Sequence, residues 1–169
     1  HGGNSELMAD AFVRGAEAAG HDVVRYDAGF KDIKGCKFCE TCYKLGPDKA
    51  CSHDDVFNEL APYYETADSL VIVTPLYWYT YTAQVKAALD KYYALMVAGR
   101  PQPIKEVYLI TCGAGKDDYK YEAIINTHDL IARDRKWENL GCYHVNGVFK
   151  KGDIEEKYLD EIEKIGREF

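Results

Sequence analysis

Residues 70–81 read L-V-I-V-T-P-L-Y-W-Y-T-Y and carry the strongest structural signal in the sequence. Its first four residues form a short apolar run, which is typical of a strand buried on both faces of a parallel sheet. Four aromatic residues follow in the loop, where doubly wound proteins bind ligands at the carboxyl ends of strands. Pro75 fixes the backbone, so the following N–H groups can be directed at a ring that aromatic faces enclose. A ligand site is therefore predicted, with a dimerisation patch as the alternative.

Helical and strand patterns alternate on both sides of this stretch. The segments with helical spacing of apolar residues are 5–19, 54–65, 83–97, 119–136 and 153–169. The strand patterns cover residues 21–27, 70–73, 105–112 and 140–148. This alternation predicts an α/β fold, a doubly wound parallel sheet in three α/β/α layers, with residues 1–169 as one domain.

The chain opens with H-G-G-N-S directly before the first helical segment, and no strand pattern precedes it. A doubly wound fold normally begins with a central strand that leads into such a loop, so we expect this chain to lack that first strand. Asn4 or Ser5 can cap the helix, and its free N–H groups with these two side chains form a phosphate cradle. A plain glycine turn is the alternative.

Small residues follow the strand at 105–112. Thr111, Cys112, Gly113, Ala114 and Gly115 stand in sequence, with Tyr119 beyond them. Small residues let a ligand approach the backbone closely. Because carboxyl ends of parallel strands meet at one sheet edge, we expect this loop to converge with the aromatic loop and the first helix on one crevice.

Four of the six cysteines fall within sixteen positions: Cys36, Cys39, Cys42 and Cys51. Spacing by two residues suits a metal or cluster better than a disulfide framework. Four thiolates are the number that a four-iron, four-sulfur cluster needs; structural or redox thiols are the alternative. Cys112 and Cys142 lie in apolar strand patterns and are expected to be buried. The scattered histidines, His128 among them, are expected mostly at the surface.

Composition narrows the class of protein. The 169 residues are 47% hydrophobic and carry 21 Lys+Arg against 28 Asp+Glu, a net charge of −7. This excludes intrinsic disorder and disfavours a nucleic-acid or anionic-membrane surface. No apolar run approaches the length of a membrane span, and the N-terminus shows no signal-peptide pattern, so a reducing cytoplasm is expected.

These motifs resemble a known family. Pro75-Leu76-Tyr77-Trp78-Tyr79, with Ala83, Lys86 and Asp90 in the following helix, is similar to the loop and helix of the flavodoxin-like NAD(P)H-dependent FMN reductases and quinone reductases. Thr111-x-Gly113 with Tyr119 resembles the loop beside their flavin ring. Gly3-Asn4-Ser5 resembles the end of their phosphate loop.

The resemblance implies a flavodoxin-like fold, FMN as cofactor, NAD(P)H as electron donor and a quinone or other small molecule as acceptor. By the same resemblance, Asn4 and Ser5 would contact the FMN phosphate. The ring would be lined by Pro75, Leu76, Tyr77, Trp78 and Tyr79 on one side and by Thr111, Gly113 and Ala114 on the other. Tyr119 would donate a hydrogen bond to the reduced ring or to the acceptor. The exposed aromatics predict a homodimer.

The cysteine motif is similar to that of the iron–sulfur flavoproteins, a branch of the same family. Its final gap, from Cys42 to Cys51, is longer than that branch normally has. An iron–sulfur flavoprotein that carries electrons between protein partners is therefore the alternative function. A flavin-free binding module that uses the same crevice is a second alternative.

Overall fold

The computed structural model describes residues 2–53 and 55–169. Its helices are α1 (Asn4–Ala18), α2 (Phe57–Tyr64), α3 (Ala83–Val97), α4 (Glu122–Arg135) and α5 (Glu156–Glu168). Its strands are β1 (Ser69–Pro75), β2 (Glu106–Cys112) and β3 (Glu138–Val145). The strands form a parallel sheet in the order β1-β2-β3. The predicted α/β, flavodoxin-like fold class is confirmed.

The chain divides into two compact units. The first comprises the described residues up to Arg25 together with Val71–Tyr81 and Val107–Phe169, and the second comprises Tyr26–Leu70 and Thr82–Glu106. The prediction of a single domain is not tested by this division and stays a prediction. Among the described residues, no helix combines the length and the apolarity that crossing a membrane requires.

The core of the first unit forms where α1 and α5 meet. Phe12 on α1 and Ile162 on α5 join Ile110 of β2 and Val145 of β3 in one buried apolar cluster. The two helix backbones approach closely, because a Cβ added at Gly15 would lie 2.0 Å from the carbonyl oxygen of Glu163. Glycine is therefore required at this crossing.

Two of the ion pairs among the described residues of the second unit have mostly buried side chains. Lys91 on α3 pairs with Asp55, and both side chains are almost completely buried, at 2% and 1% exposed. Arg100 pairs with Glu65 at the end of α2. The Arg100 guanidinium also donates to the backbone oxygen of Pro47 at 2.9 Å, which fastens the loop that carries the cysteines.

Residues 21–27 form no strand, contrary to the prediction. In the described part of the chain, no hydrogen-bond ladder joins them to β1, β2 or β3. A strand needs a partner for its backbone groups, and an apolar pattern alone does not supply one. Val23 instead packs against the core of the first unit, and Arg25 pairs with Asp10.

The N-terminal ends of α1 and α2 differ from the predicted ones. The N-cap of α1 is Gly3, and neither Asn4 nor Ser5 caps the helix. The carboxylate of Glu6 accepts hydrogen bonds from the backbone of Gly2 at 2.5 Å and of Gly3 at 3.4 Å, so it takes the capping role. The predicted start of α2 at Asp54 lies outside the described residues, and the described helix begins at Phe57.

Candidate functional site

The aromatic loop after β1 folds into a tight two-residue turn. Tyr77 and Thr80 exchange two backbone hydrogen bonds of 3.1 Å each. Just before the turn, the N–H of Leu76 donates to the carbonyl oxygen of Cys112 at 2.7 Å. This bond ties the loop after β1 to the end of β2, so the structure brings together the two loops that the sequence predicts as neighbours.

The two central residues of this turn are strained. Trp78 has a φ of 47° and Tyr79 a φ of 68°, values that the two-residue hairpin turn demands and that normally select Asn-Gly. For residues with a side chain, the left-handed conformation costs about 1–2 kcal/mol each. The sequence carries no signal of this turn, since both positions hold aromatic residues.

The turn leaves two backbone donors free. Within residues 2–53 and 55–169, the N–H groups of Trp78 and Tyr79 donate to no protein acceptor. The ring of Trp78 is 91% exposed, and those of Tyr77 and Tyr79 are also exposed. An exposed aromatic surface with two adjacent N–H donors is suited to bind the polar edge of a planar ring.

The loop after β2 supplies a second wall. Thr111 is completely buried, and in the described part of the chain its hydroxyl makes no hydrogen bond. Gly113 is confined, because an added Cβ would lie 3.1 Å from the Tyr121 hydroxyl and 3.2 Å from Cβ of Leu76. Ala114 follows it, and Tyr119 is 60% exposed.

Sequence reasoning missed Tyr121, which stabilises this loop. Its hydroxyl donates to the carbonyl oxygens of Val145 at 3.0 Å and of Gly113 at 3.4 Å. Its ring stacks on His144, with ring centroids 4.5 Å apart. Burial, and then the nearby Cys112 and Asp118, raise the pKa of Tyr121 to about 12, so the hydroxyl stays protonated. The feature of the sequence that could have identified Tyr121 is its position two residues after Tyr119, which is itself predicted to lie at the site.

The N-terminus of α1 joins these loops through the segment 147–154. The Asn4 side chain donates to the carbonyl oxygen of Lys150 at 2.8 Å and accepts from the N–H of Ile154 at 3.3 Å. The N–H of Val148 donates to the carbonyl oxygen of Gly113 at 2.9 Å. The amide of Asn4 is therefore engaged within the protein, while the N–H groups of the first helical turn have no intrahelical acceptor.

The four clustered cysteines lie in the second unit. All six cysteines of the chain are free thiols; Cys36 and Cys39 are exposed and Cys51 is buried. Asn58 holds the buried one, since its side-chain oxygen accepts from the N–H of Cys51 at 2.9 Å and its amide donates to the Cys51 carbonyl at 3.1 Å. Cys36, Cys39, Cys42 and Cys51 line one small cavity with Lys91.

This arrangement does not yet form a metal site. Among the described residues, no three histidine, cysteine or carboxylate side chains are placed to share one metal ion. The cavity measures about 30 Å³, which holds about one water molecule. The predicted cluster therefore does not fit the thiols as they are arranged in this structure.

The thiol of Cys39 differs from its neighbours. The hydroxyl and backbone of Thr41, followed by Ser52 and His53, lower the pKa of Cys39 to about 6 through hydrogen bonds. The Sγ of Cys39 lies 3.6 Å from the Ser52 hydroxyl. Burial instead raises the pKa of the Cys42 thiol.

We expect an alkylating agent at pH 7 to modify Cys39 before any other cysteine, because the thiolate is the nucleophile. In metal-free reduced protein, the pH dependence of its alkylation rate should have a midpoint near 6. Peptide mass spectrometry measures the rate at each site. Thr41→Ala should move the midpoint upward, and equal rates at Cys39 and Cys42 would contradict the prediction.

The burial of His128 and Cys142 differs from the prediction. His128 is buried at 2% exposure, contrary to the expected surface position. Cys112 is buried as expected, whereas Cys142 is only partly buried. The surface prediction for His128 was wrong because His128 lies on the buried face of α4, together with Ile124 and Ala132.

Comparison with known proteins agrees with this architecture. A family model described as NADPH-dependent FMN reductase matches residues 1–120. An iron–sulfur flavoprotein of Archaeoglobus fulgidus is 28% identical over 120 residues, which cover 69% of this chain and 52% of that protein. One from Methanosarcina thermophila is 22% identical over 152 residues, covering 90% and 72%. The chain thus spans about half the length of the first of these relatives.

Solved structures share the fold. The NAD(P)H:quinone oxidoreductase from Methanothermobacter marburgensis superposes with a TM-score of 0.71 at 18% identity, covering 99% of this chain and 92% of that one. Azoreductase AzrA gives a TM-score of 0.68 at 16% identity, covering 98% and 92%. The family model covers well over half of the sequence, and the chain belongs to the NADPH-dependent FMN reductase family.

Proposed function

We propose that this chain is an FMN-dependent oxidoreductase that passes electrons from NAD(P)H to a quinone or another small acceptor. The observation that carries the proposal is the strained turn, in which the N–H groups of Trp78 and Tyr79 have no acceptor among the described residues and which the Leu76–Cys112 hydrogen bond ties to the end of β2. When bound, FMN supplies the redox chemistry, and the protein supplies orientation and electrostatics.

The residues of the first unit fit a flavin ring. The free N–H groups of the turn would hold its polar edge, and Pro75, Leu76 and Tyr77 would line it. Thr111, Gly113 and Ala114 would border the opposite edge, where the buried Thr111 hydroxyl lacks a partner among the described residues. A ligand acceptor there would remove the cost of an unmade hydrogen bond.

The phosphate would lie at the N-terminus of α1. We propose the N–H groups of Asn4 and Ser5 and the Ser5 hydroxyl as its ligands. Asn4 would contribute through its backbone, because its side chain is engaged with Lys150 and Ile154.

Tyr119 is proposed as the residue that donates a hydrogen bond to the acceptor. It is exposed, and Nζ of Lys120 lies 5.9 Å from its ring centroid. This cation–π contact favours a fixed position of the ring, and the exposed hydroxyl is accessible to an acceptor.

The test is reconstitution of the full-length protein with FMN and, in parallel, with FAD. We expect one FMN per chain, and oxidation of NAD(P)H that depends on an added quinone. Binding of FAD in preference to FMN would contradict the assignment of the cofactor. Bound FMN without NAD(P)H oxidation would contradict the reductase activity.

We expect the double variant Trp78→Asn/Tyr79→Gly to be more stable than the wild type by about 1–3 kcal/mol, because Asn-Gly relieves the strain. Both N–H donors remain, so FMN affinity should change little. Loss of aromatic stacking should raise the KM for the acceptor about 2- to 10-fold. Urea unfolding and steady-state kinetics measure the two effects.

Phe149→Asn is the control for this variant, since Phe149 is an exposed aromatic residue outside the turn. Its free energy of unfolding should stay within about 0.5 kcal/mol of the wild type. A turn variant that is no more stable than this control would contradict the account of strain.

The second candidate function is an iron–sulfur flavoprotein that carries electrons between protein partners. The observation that favours it is that Cys36, Cys39, Cys42 and Cys51 line one cavity. A rearrangement of this loop would be needed to bind a cluster. Iron and sulfide analysis of protein purified without oxygen tests it: four of each per chain would support the cluster, and none after anaerobic reconstitution would contradict it.

We also propose a homodimer and a cytoplasmic location. The exposed rings of Tyr77, Trp78 and Tyr79 support the dimer, because contiguous apolar surface of this kind marks contacts. The six free thiols support a reducing compartment. Sedimentation velocity of the flavin-loaded protein measures the oligomeric state.

A further inference from the structure

A buried polar pair lies next to the strained turn. Nδ1 of His128, on α4, lies 3.2 Å from the hydroxyl of Tyr81, and the two side chains are 2% and 3% exposed. Desolvation by burial lowers the pKa of His128 to about 4, against smaller opposing effects of Asn139 and Asp129. The imidazole is therefore neutral at pH 7, and one nitrogen can donate while the other accepts.

Tyr81 places this hydrogen-bonded pair next to the loop that contains the turn. Tyr81 directly follows Thr80, the last residue of the turn, so its hydrogen bond to His128 lies at the C-terminal stem of the loop. On the N-terminal stem, the N–H of Leu76 is fixed by the carbonyl oxygen of Cys112. Both stems are thus held by hydrogen bonds on either side of Trp78 and Tyr79.

A strained turn needs such anchors. Left-handed conformations of residues with side chains persist only where the surrounding structure determines them from several sides. Among the described residues, the turn itself contributes the two bonds between Tyr77 and Thr80. If one stem were released, the chain could rotate Trp78 and Tyr79 back to negative φ, and their N–H groups would lose their common direction.

We propose that His128 is a positioning residue: its hydrogen bond to Tyr81 holds the Trp78–Tyr79 turn in its strained, ligand-ready conformation. The proposal rests on the proposed function in one respect, since the ligand of the turn is taken to be the flavin. The conformational claim itself concerns the protein without flavin.

Amide hydrogen exchange of the flavin-free protein tests this claim by NMR. The reporters are the N–H groups of Tyr77 and Thr80, which are hydrogen-bonded only while the turn is formed. In Tyr81→Phe and in His128→Leu, we expect their protection to fall about tenfold, as loss of one buried hydrogen bond implies. Global unfolding sets an upper limit on amide protection in each variant. For the amides of Leu109 and Ile110 in β2, the ratio of the measured protection to this limit should be the same as in the wild type.

Two further variants separate positioning from general destabilisation. His128→Asn places an amide near the site of Nδ1 and should restore protection of Tyr77 and Thr80 above that of His128→Leu. Tyr143→Phe is the matched control, because it removes a tyrosine hydroxyl that bonds to Glu161, at a distance from the turn in sequence. It should leave the turn amides unchanged.

Unchanged protection of Tyr77 and Thr80 in folded Tyr81→Phe would overturn the proposal. So would an equal loss of protection at Leu109 and Ile110 relative to the global unfolding limit, or exchange in His128→Asn as fast as in His128→Leu. If His128→Leu does not fold, the protection of Tyr77 and Thr80 is compared between the wild type and the variants Tyr81→Phe and His128→Asn, and this comparison tests the proposal.

A separate FMN titration distinguishes this proposal from the proposed function. We expect the Kd of Tyr81→Phe for FMN to rise about fivefold above the wild type, because the turn must then be ordered on binding. If the wild type binds no FMN, the proposed function fails, while the exchange measurements still decide whether His128 holds the turn.

Discussion

Replacing Lys91 with methionine is expected to lower the free energy of unfolding by about 3–5 kcal/mol, the cost of leaving a buried charge without its partner. The partner is Asp55, whose side chain is 1% exposed and which also accepts from the backbone N–H of Phe57 at 3.0 Å. Methionine fills the volume of the lysine stem but cannot neutralise the carboxylate. Urea unfolding measures the difference.

The pH dependence provides a second readout of the same pair. Burial alone would raise the pKa of Asp55, but hydrogen bonds from Lys91 and the Phe57 backbone outweigh it and hold the pKa below its ordinary value. The pair's contribution is therefore present above the pKa of an unfolded aspartate, about 3.9, and is lost as the pH falls through the lower folded value. In the Lys91→Met variant, burial acts without Lys91, so acidification should narrow its difference from the wild type.

Lys86→Met is the matched control for Lys91→Met. Lys86 lies on the same helix and pairs with Asp90, but both side chains are more than 40% exposed. Its loss should cost less than about 0.5 kcal/mol. Equal effects of the two substitutions would contradict the account of Lys91 as a buried partner.

Gly15→Ala is expected to lower the free energy of unfolding by about 3 kcal/mol, at the upper end of the cost of overpacking. The added methyl group would lie 2.0 Å from the Glu163 carbonyl oxygen, a backbone atom that cannot rotate away. Across the same crossing, a Cβ at Gly166 would lie 2.4 Å from the Phe12 carbonyl oxygen. Helix α5 would have to move away from α1 and expose part of their shared core.

The control is Gly29→Ala, where an added Cβ meets no atom within 4 Å. Its stability should stay within about 0.5 kcal/mol of the wild type. Alanine is favoured over glycine within a helix by about 1 kcal/mol, so any loss at Gly15 occurs against that gain. A neutral Gly15→Ala would show that separating the helices costs only about 1 kcal/mol, the amount that alanine gains, and it would contradict the prediction.

Elements with long periodic patterns were predictable from the sequence. The predicted helix at residues 83–97 coincides with α3, and the apolar run at 70–73 lies within β1. The strand at 105–112 differs from β2 by one residue. These patterns succeed because each element buries its apolar face locally, so its own residues carry the signal.

Features that depend on a distant partner were not predictable. The segment 21–27 has a strand pattern but no strand to pair with among the described residues. The turn at Trp78 and Tyr79 contains neither of the residues, Asn and Gly, that normally indicate such a turn in a sequence. Its conformation depends on the loops around it. The burial of Lys91 follows from Asp55, which lies 36 positions away in the sequence.

The packing of α1 against α5 also governs how the chain folds as it is made. All of residues 19–155 separate the two helices, so α1 leaves the ribosome long before its partner exists. At about 5–20 residues per second, the wait is on the order of ten seconds. During that interval Met8 and Phe12 have no α5 to cover them, although they are buried in the finished core. The first unit therefore completes its core only after synthesis of α5, and until then the nascent chain exposes apolar surface that is prone to aggregate.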